Sequence, residues 1–188
     1  MLLKPQQCLN ELPLKAGMRV ADLGCGSGFF TQEVAEKVLP AGKVYAVDIQ
    51  KDLLERVVRE IRQNKKVNNV EAIWGDLEQQ KGSKLNEQIM DAVLLTNTLF
   101  QADDRRAVVR EAVRIIKPRG SLLIVEWNGS YNGIGPSPDR VLKIKELKQL
   151  LAEFSLEVKK NFAPGEYHFG LLAEKLPGQE RKIKITTE

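Results

Sequence analysis

The sequence predicts an α/β protein built on a doubly wound, mostly parallel sheet of seven strands that ends in an antiparallel hairpin. Short apolar runs alternate with helical patterns along most of the 188 residues, which is typical of parallel strands joined by helices. Runs such as VYAV and DAVLLT are apolar without interruption, as expected of strands covered on both faces. Near the carboxyl end, two further strand-like runs flank a short turn, which predicts the hairpin.

Five strands are expected before the hairpin and two within it. In chain order they are Arg19–Leu23, Val44–Val47, Glu71–Trp74, Ala92–Thr96, Ser121–Trp127, Leu156–Phe162 and Tyr167–Lys175. The turn between the last two is predicted at Ala163–Glu166, because its Pro and Gly favour turns.

Helical patterns fill most of the connections between these strands. They cover Thr31–Val38, Asp52–Lys65, Asp103–Ile116 and Arg140–Phe154. Asp52 and Asp103 stand where two of these helices begin, where a carboxylate can accept hydrogen bonds from free backbone N–H groups. The Lys117–Gly120 stretch, KPRG, is expected to end the third helix, and Asn128–Asp139 is expected to be an irregular loop rich in Gly, Pro, Ser and Asn.

Length and composition favour one globular domain. We expect residues 1–176 to form it and the polar stretch 177–188 to be a frayed tail. Hydrophobic residues make up 43% of the chain and charged residues 29%, an ordinary balance for a soluble protein. The net charge of +4 comes from 29 basic and 25 acidic residues, so it indicates an intermixed surface rather than a basic patch.

Cysteine content and hydropathy indicate the cellular setting. Cys8 and Cys25 are the only cysteines and form no CxxC motif, which argues against a disulfide scaffold or a structural zinc site. No cluster of residues has the spacing of a metal site. The sequence has no apolar run approaching the ~20 residues that span a bilayer, and the apolar stretch at its start is too short for a signal peptide. We therefore expect a cytoplasmic protein without a membrane span.

A glycine-rich loop follows the first strand, in VADLGCGSG. Gly24, Gly26 and Gly28 let the backbone come close to a ligand, and the following helix offers free N–H groups. The dinucleotide fingerprint G-x-G-x-x-G is not met, because Phe29 stands where its third glycine belongs. Taken alone, the loop fits a small ligand, and it also fits a turn that binds nothing.

Polar residues at the ends of the next three strands support a ligand site. Asp48 closes the second strand 20 residues after Gly28. A carboxylate there can accept hydrogen bonds from two ribose hydroxyls, and the ribose can belong to NAD or to another adenosine ligand. Asp76, followed by Leu77, closes the third strand and suits an adenine ring. Asn97 follows the fourth. Because parallel strands bind ligands at their carboxyl ends, these side chains should converge on one crevice.

These motifs together resemble the class I S-adenosylmethionine-dependent methyltransferases, which have a Rossmann-like fold. VADLGCGSG is similar to the first motif of that family, VYAVDIQ to its second, WGDL to its third and DAVLLTNTL to its fourth. The resemblance extends over about residues 5–175. It is strongest to the type 11 branch, which includes the C-methyltransferases of ubiquinone and menaquinone biosynthesis.

The resemblance implies S-adenosyl-L-methionine as the cofactor and assigns residues to its parts. Asp22 and Gly24–Gly28 would surround the methionine portion, Asp48 would bind the ribose, and Asn97 would lie at the sulfonium. The adenine would contact Asp76 and Leu77. The full set of expected cofactor-binding residues is Asp22, Leu23, Gly24, Cys25, Gly26, Gly28, Asp48, Ile49, Gly75, Asp76, Leu77 and Asn97.

The candidate catalytic residue is His168, the only histidine. If Leu156–Phe162 runs parallel to the earlier strands, its hairpin brings Glu166, Tyr167 and His168 to the cofactor edge of the sheet. An imidazole there can take a proton from an acceptor near neutral pH. Alternatively, His168 serves only to hold the hairpin by a hydrogen bond.

A small molecule, quinone-like or otherwise aromatic, is the expected methyl acceptor. Trp127, Tyr131, Ile134 and Pro136 could contact it, although such residues also commonly pin a loop to the surface. Because only about 18 residues precede the first strand, the acceptor site is expected to be open or completed by another chain. The sequence does not fix the oligomeric state.

Three other functions stay open. RNA or protein methylation is suggested by the lysines of Arg140–Lys148, but no aromatic stacking platform for nucleic acid accompanies them. A non-catalytic subunit that binds the cofactor would show the same motifs. A nicotinamide-dependent dehydrogenase is disfavoured by Phe29.

Overall fold

The computed structural model of the chain describes residues 3–63, 67–131 and 133–177. Seven strands form one sheet in the order β3-β2-β1-β4-β5-β7-β6. Their bounds are β1 Arg19–Leu23, β2 Lys43–Asp48, β3 Val70–Trp74, β4 Met90–Thr96, β5 Ile116–Trp127, β6 Leu156–Gly165 and β7 His168–Lys175. Strands β1 to β5 are parallel, and β7 is antiparallel to both β5 and β6. The predicted fold class is therefore confirmed.

Five described helices cover the two faces of this sheet. They are α1 Pro5–Leu9, α2 Phe29–Lys37, α3 Lys51–Gln63, α4 Arg105–Ile115 and α5 Ile144–Glu153. Helices α1, α2 and α3 contribute to the apolar core on one face, and α4 and α5 contribute to the core on the other. Helices on both faces explain the continuous apolar runs of the central strands, where residues such as Leu94 and Leu123 are completely buried.

Helix α4 is capped one residue later than the sequence predicted. Its N-cap is Asp104, whose Oδ1 accepts a hydrogen bond from the backbone N–H of Ala107 at 3.0 Å. The expectation that Asp103 caps this helix is therefore wrong. Asp103 instead forms an ion pair with Arg140 at 2.8 Å.

The KPRG stretch is part of strand β5 rather than a separate turn. Helix α4 ends at Ile115 and β5 begins with the next residue. The pairing with β4 shifts between Met90↔Ile116 and Ala92↔Ser121, and Arg119 has a φ of 63° within the shifted section. The helix therefore stops where expected, but an irregular section of strand absorbs the change of direction.

Two boundaries in the last third also differ from prediction. Helix α5 begins at Ile144 rather than Arg140, whose carbonyl accepts a hydrogen bond from the Arg105 guanidinium at 2.9 Å. Strand β6 continues through Gly165, so the hairpin turn consists of Glu166 and Tyr167. A register irregularity between Phe162 and Gly165 lets the strand pass the proline.

Other predicted segments fall partly outside the described residues. The expected end of the second helix at Lys65 lies there, and so does the polar tail from residue 178 onward. Of the helices in the described ranges, none is long and apolar enough to cross a membrane.

Candidate functional site

The glycine-rich loop leaves β1 and turns back towards β2. The backbone N–H groups of Gly24 and Cys25 both donate to the carbonyl of Val47, at 2.8 and 3.1 Å. Gly24 has a φ of +74°, and a Cβ at this position would lie 2.6 Å from the side chain of Thr98. Gly24 is therefore required both for its left-handed backbone and for the close approach of Thr98.

Asp48 joins this loop to the end of β2. Its side chain is only 6% exposed, and its Oδ2 accepts a hydrogen bond from the N–H of Gly26 at 2.8 Å. Its Oδ1 accepts one from the N–H of Gln50, also at 2.8 Å. Each carboxylate oxygen keeps a further lone pair, so the fixed carboxylate can still accept hydrogen bonds from two hydroxyl groups of a ligand.

A cavity of about 480 Å³ lies at the carboxyl ends of the parallel strands. Its size falls within the ~300–1,000 Å³ that small-molecule sites occupy. Seven of the predicted binding residues line it: Gly24, Gly26, Asp48, Ile49, Gly75, Asp76 and Leu77. Residues from the ends of three strands thus meet in one crevice.

Asp22 lies beneath the loop and does not line the cavity. It is completely buried, and its Oδ2 accepts a hydrogen bond from the Thr31 hydroxyl at 2.6 Å. Its Oδ1 is buried without a hydrogen-bond partner among the described residues. Burial raises the pKa of Asp22 to about 6, so most of its charge is present at pH 7.

Leu23, Cys25 and Gly28 do not line the cavity either. Leu23 is buried in the core, and Cys25 packs with Ala46 and Leu54. Burial raises the pKa of the Cys25 thiol far above its usual range, which removes its nucleophilic form. Gly28 has a φ of 79° at the N-cap of α2 and packs against Val57.

Asn97 follows β4 with a left-handed backbone, at a φ of 54°. Its N–H donates to the carbonyl of Val125 at 2.8 Å, while its side-chain Oδ1 is buried without a partner in the described part of the chain. Asn97 is not a lining residue, but its neighbour Thr98 is.

Several residues that line the cavity were not predicted from the sequence. They are Gln50, Leu53, Glu78, Thr98, Gln101, Ala102 and Val108. Gln50, Glu78 and Thr98 follow within two residues of a predicted one, so extending each strand-end motif would have found them. Val108 comes from α4, and nothing in its local sequence marks it.

His168 begins β7 at the same edge of the sheet, as expected once β6 runs parallel to β5. It is only 4% exposed, does not line the cavity, and its ring centroid lies 4.2 Å from that of Trp127. Its Nε2 is buried without a partner among described residues. Burial lowers the pKa of His168, which favours the neutral imidazole.

Aromatic rings form a rim beside His168. Tyr131 lies 4.6 Å from Tyr167, centroid to centroid, and also hydrogen-bonds through its hydroxyl to Asn128. Asn128 in turn holds the β6–β7 turn, since its N–H donates to the carbonyl of Tyr167 at 2.9 Å. These rings pin the loop after β5 to the hairpin, while Ile134 stays exposed.

A larger groove, of about 730 Å³, lies between α3 and β3 and shares no lining residue with the strand-end cavity. None of the buried side-chain atoms without partners in the described ranges belongs to its lining. Within the same ranges, no three His, Cys, Asp or Glu side chains group as metal ligands would.

Comparison with known proteins shows what this chain is similar to. The profile of the family described as "Methyltransferase domain" matches residues 14–171. The chain is 31% identical over 113 residues to a demethylmenaquinone methyltransferase of Lactococcus lactis, an alignment covering 58% of this chain and 42% of that protein. It is 26% identical over 126 residues to a ubiquinone/menaquinone biosynthesis C-methyltransferase of Hahella chejuensis, covering 67% and 49%. The chain thus spans about half the length of these curated relatives.

A solved structure is similar over nearly its whole length. It is a SAM dependent methyltransferase from Aquifex aeolicus, which superposes with a TM-score of 0.83 at 27% identity and covers 93% of this chain and 91% of its own. The resemblance drawn from the four sequence motifs is confirmed by these matches. Since the family profile covers most of the chain, this protein belongs to the methyltransferase domain family.

Proposed function

We propose that the chain is an S-adenosyl-L-methionine-dependent methyltransferase that acts on a small-molecule acceptor. The observation that carries the proposal is the strand-end cavity, in which Asp48 is fixed by two backbone N–H groups. A carboxylate held in this way suits the two hydroxyls of a ribose.

The residues present fit a cation-bearing adenosine ligand. Asp22 Oδ1 and Asn97 Oδ1 are buried acceptors without partners in the described chain, an arrangement that costs free energy unless a donor approaches. S-adenosylmethionine carries an ammonium and a sulfonium. Asp22 is mostly ionised at pH 7, so its charge complements those two positive centres.

Bound in this crevice, S-adenosylmethionine supplies a methyl group on a sulfonium, which is already activated towards a nucleophile. The task left to the protein is to hold an acceptor in line with that methyl group, and orientation of this kind can contribute roughly 7–11 kcal/mol. Thr98 and Gln101 line one side of the cavity, and Ile49 and Leu77 would contact the adenine of the bound cofactor. His168 is the proposed proton acceptor.

An aromatic or quinone-like acceptor is the class we favour. Curated relatives with quinone-biosynthesis names support it, as does the aromatic rim of Trp127, Tyr131 and Tyr167. A nucleic-acid acceptor has less support. Lys143, Lys145 and Lys148 are exposed whereas Leu147 on the same helix is buried, so these lysines form the solvent face of α5.

A non-catalytic subunit that binds the cofactor is the second candidate. The burial of His168 favours it. Turnover separates the two candidates, because only an enzyme releases S-adenosylhomocysteine from S-adenosylmethionine in the presence of an acceptor. A panel of hydroquinones and other phenols is the first set of acceptors to test.

Calorimetric titration tests the cofactor directly. We expect the wild type to bind S-adenosylmethionine and S-adenosylhomocysteine but not NAD, and Asp48→Ala to weaken binding at least about tenfold, as loss of hydrogen bonds to a charged group implies. Asp52→Ala is the matched control, because Asp52 is exposed on α3 and does not line the cavity. Binding of NAD without binding of either sulfur ligand would refute the proposal.

A further inference from the structure

The segment that follows β4 forms one wall of the cavity through Thr98, Gln101 and Ala102. It is neither helix nor strand, and it begins with the left-handed Asn97. A segment of this kind keeps its shape only if its backbone polar groups find fixed partners. Side chains from the neighbouring elements supply several of them.

Glu126 provides two of these partners from the next strand. It is completely buried near the end of β5, and its Oε1 accepts hydrogen bonds from the N–H of Thr98 at 3.0 Å and of Leu99 at 2.7 Å. Two consecutive N–H groups of the wall therefore converge on a single oxygen atom. The Arg105 guanidinium holds the same segment from its acceptor side, since its Nε donates to the carbonyl of Leu99 at 3.2 Å.

The position of Thr98 controls the contact between this wall and the glycine-rich loop. The Thr98 hydroxyl donates to the carbonyl of Leu23 at 3.0 Å, and its side chain occupies the space that a Cβ on Gly24 would need. A shift of the Thr98 backbone therefore displaces both the wall and the residue against which the loop packs.

We propose that Glu126 is a positioning residue for the cofactor site, which fixes the backbone of Thr98 and Leu99 against Gly24 and so sets the affinity for the cofactor. The proposal rests on the proposed function. Glu126 does not line the cavity, so it acts through the wall rather than on the ligand.

The state of the Glu126 carboxyl agrees with this role. Its Oε2 is buried without a partner in the described part of the chain, and burial raises its pKa to about 8. At neutral pH the side chain is mostly the neutral acid, which keeps Oε1 as an acceptor without a buried charge. A glutamine has the same shape and the same carbonyl acceptor, so it should replace the function of Glu126.

Three variants separate positioning from simple loss of stability. Glu126→Gln retains the acceptor, Glu126→Leu removes it at similar volume, and Leu123→Ala destabilises the same strand at a completely buried position that does not line the cavity. Calorimetry with S-adenosylhomocysteine, well below the lowest melting temperature, measures the dissociation constant of each folded protein.

We expect Glu126→Gln and Leu123→Ala to bind within about threefold of the wild type and Glu126→Leu to bind at least about tenfold more weakly. Wild-type affinity in Glu126→Leu would overturn the proposal, as would equal damage from glutamine and leucine. If Glu126→Leu does not fold, Glu126→Asp takes its place. Its shorter carboxylate cannot hold both N–H groups in the same geometry, and unaltered affinity there would also overturn the proposal.

Amide hydrogen exchange of Thr98 and Leu99 in the ligand-free protein gives a second readout. We expect Glu126→Leu to lose protection at these two amides and Leu123→Ala to keep it. If the wild type bound no S-adenosylhomocysteine, the proposed function would fail, yet the exchange data would still test whether Glu126 holds the wall. Unaltered protection in Glu126→Leu would refute that role by itself.

Discussion

Thr98 packs so closely against Gly24 that a Cβ on the glycine would lie 2.6 Å from the threonine hydroxyl oxygen. Gly24 comes from the loop after β1 and Thr98 from the segment after β4, two neighbouring strands of the sheet. The loop and the wall of the cavity are thus in direct contact.

This contact predicts that Gly24→Ala impairs both stability and cofactor binding. The substitution adds a clash to a strained left-handed backbone, and each effect typically costs about 1–3 kcal/mol. Gly17→Ala is a matched control, because Gly17 has a φ of +84° with no atom within 4 Å of the added Cβ. Thermal melts and titration with S-adenosylhomocysteine should show destabilisation in both variants and weaker binding only in Gly24→Ala. Normal binding by Gly24→Ala would contradict the contact.

Asp22 should make the ligand-free protein less stable as pH rises. Its pKa rises from 3.8 to about 6 on folding because of burial, so the folded state holds the proton more tightly than the unfolded state. The resulting penalty is absent below pH 3.8, grows between pH 3.8 and 6, and reaches about 3 kcal/mol above pH 6.

Asp22→Asn tests both this loss of stability and the contribution of the Asp22 charge to cofactor binding. Above pH 6 the variant should be more stable than the wild type without ligand, because it removes the buried charge. It should also bind S-adenosylmethionine more weakly, since the charge no longer complements the cationic ligand. Denaturant titrations at pH 5 and pH 8 measure the first effect and calorimetry the second. If the variant bound S-adenosylmethionine as tightly as the wild type, Asp22 would not contribute to cofactor binding.

His168 should have the opposite effect on the pH dependence of stability, so that the folded protein becomes less stable as pH falls. Burial lowers its pKa below the ordinary 6.5, so the unfolded state takes up a proton first as the solution is acidified. The stability that neutral His168 contributes is present above pH 6.5 and decreases as pH falls below that value. His168→Gln should remove this part of the acid sensitivity, and denaturant melts from pH 7.5 to pH 5 measure it.

The same variant tests the proposed catalytic role. With an acceptor found by screening, His168→Gln should lower kcat while the dissociation constant of S-adenosylhomocysteine stays within about threefold, because His168 lies outside the cavity. If kcat of the variant equalled that of the wild type from pH 6 to pH 8, His168 would have only a structural role, packed against Trp127.

Much of the fold could be predicted because burial on both faces leaves a strong local signal. Strand β1 has the bounds predicted for it, and Asp48 and Asp76 could be assigned to the site because each stands at or just after the end of a predicted strand. The sequence offers two adjacent aspartates, Asp103 and Asp104, as the helix cap, and in the structure Asp103 is paired with Arg140, a residue distant in sequence. Local patterns hold no information about such a partner.

The contact between Glu126 and the wall of the cavity is the part that the sequence could not indicate. Glu126 stands as a single acid in an apolar strand, and its function depends on the register that sets Thr96 beside Val125. Only that register brings its carboxyl group to the N–H groups after β4. The burial of His168 likewise depends on its pairing with Trp127 across two antiparallel strands.

The position of β7 has a consequence for the order in which the protein can be completed. This strand, the last described in the chain, lies inside the sheet between β5 and β6. Strand β6 joins the sheet only through β7, so during synthesis β5 remains an open edge until residues up to Lys175 are available. The residues that line the cavity, from Gly24 to Val108, are all made earlier. The residues of the ligand site are therefore synthesised before β7, the strand that covers the open edge of β5, and that edge must be kept from pairing with other strands until β7 is available.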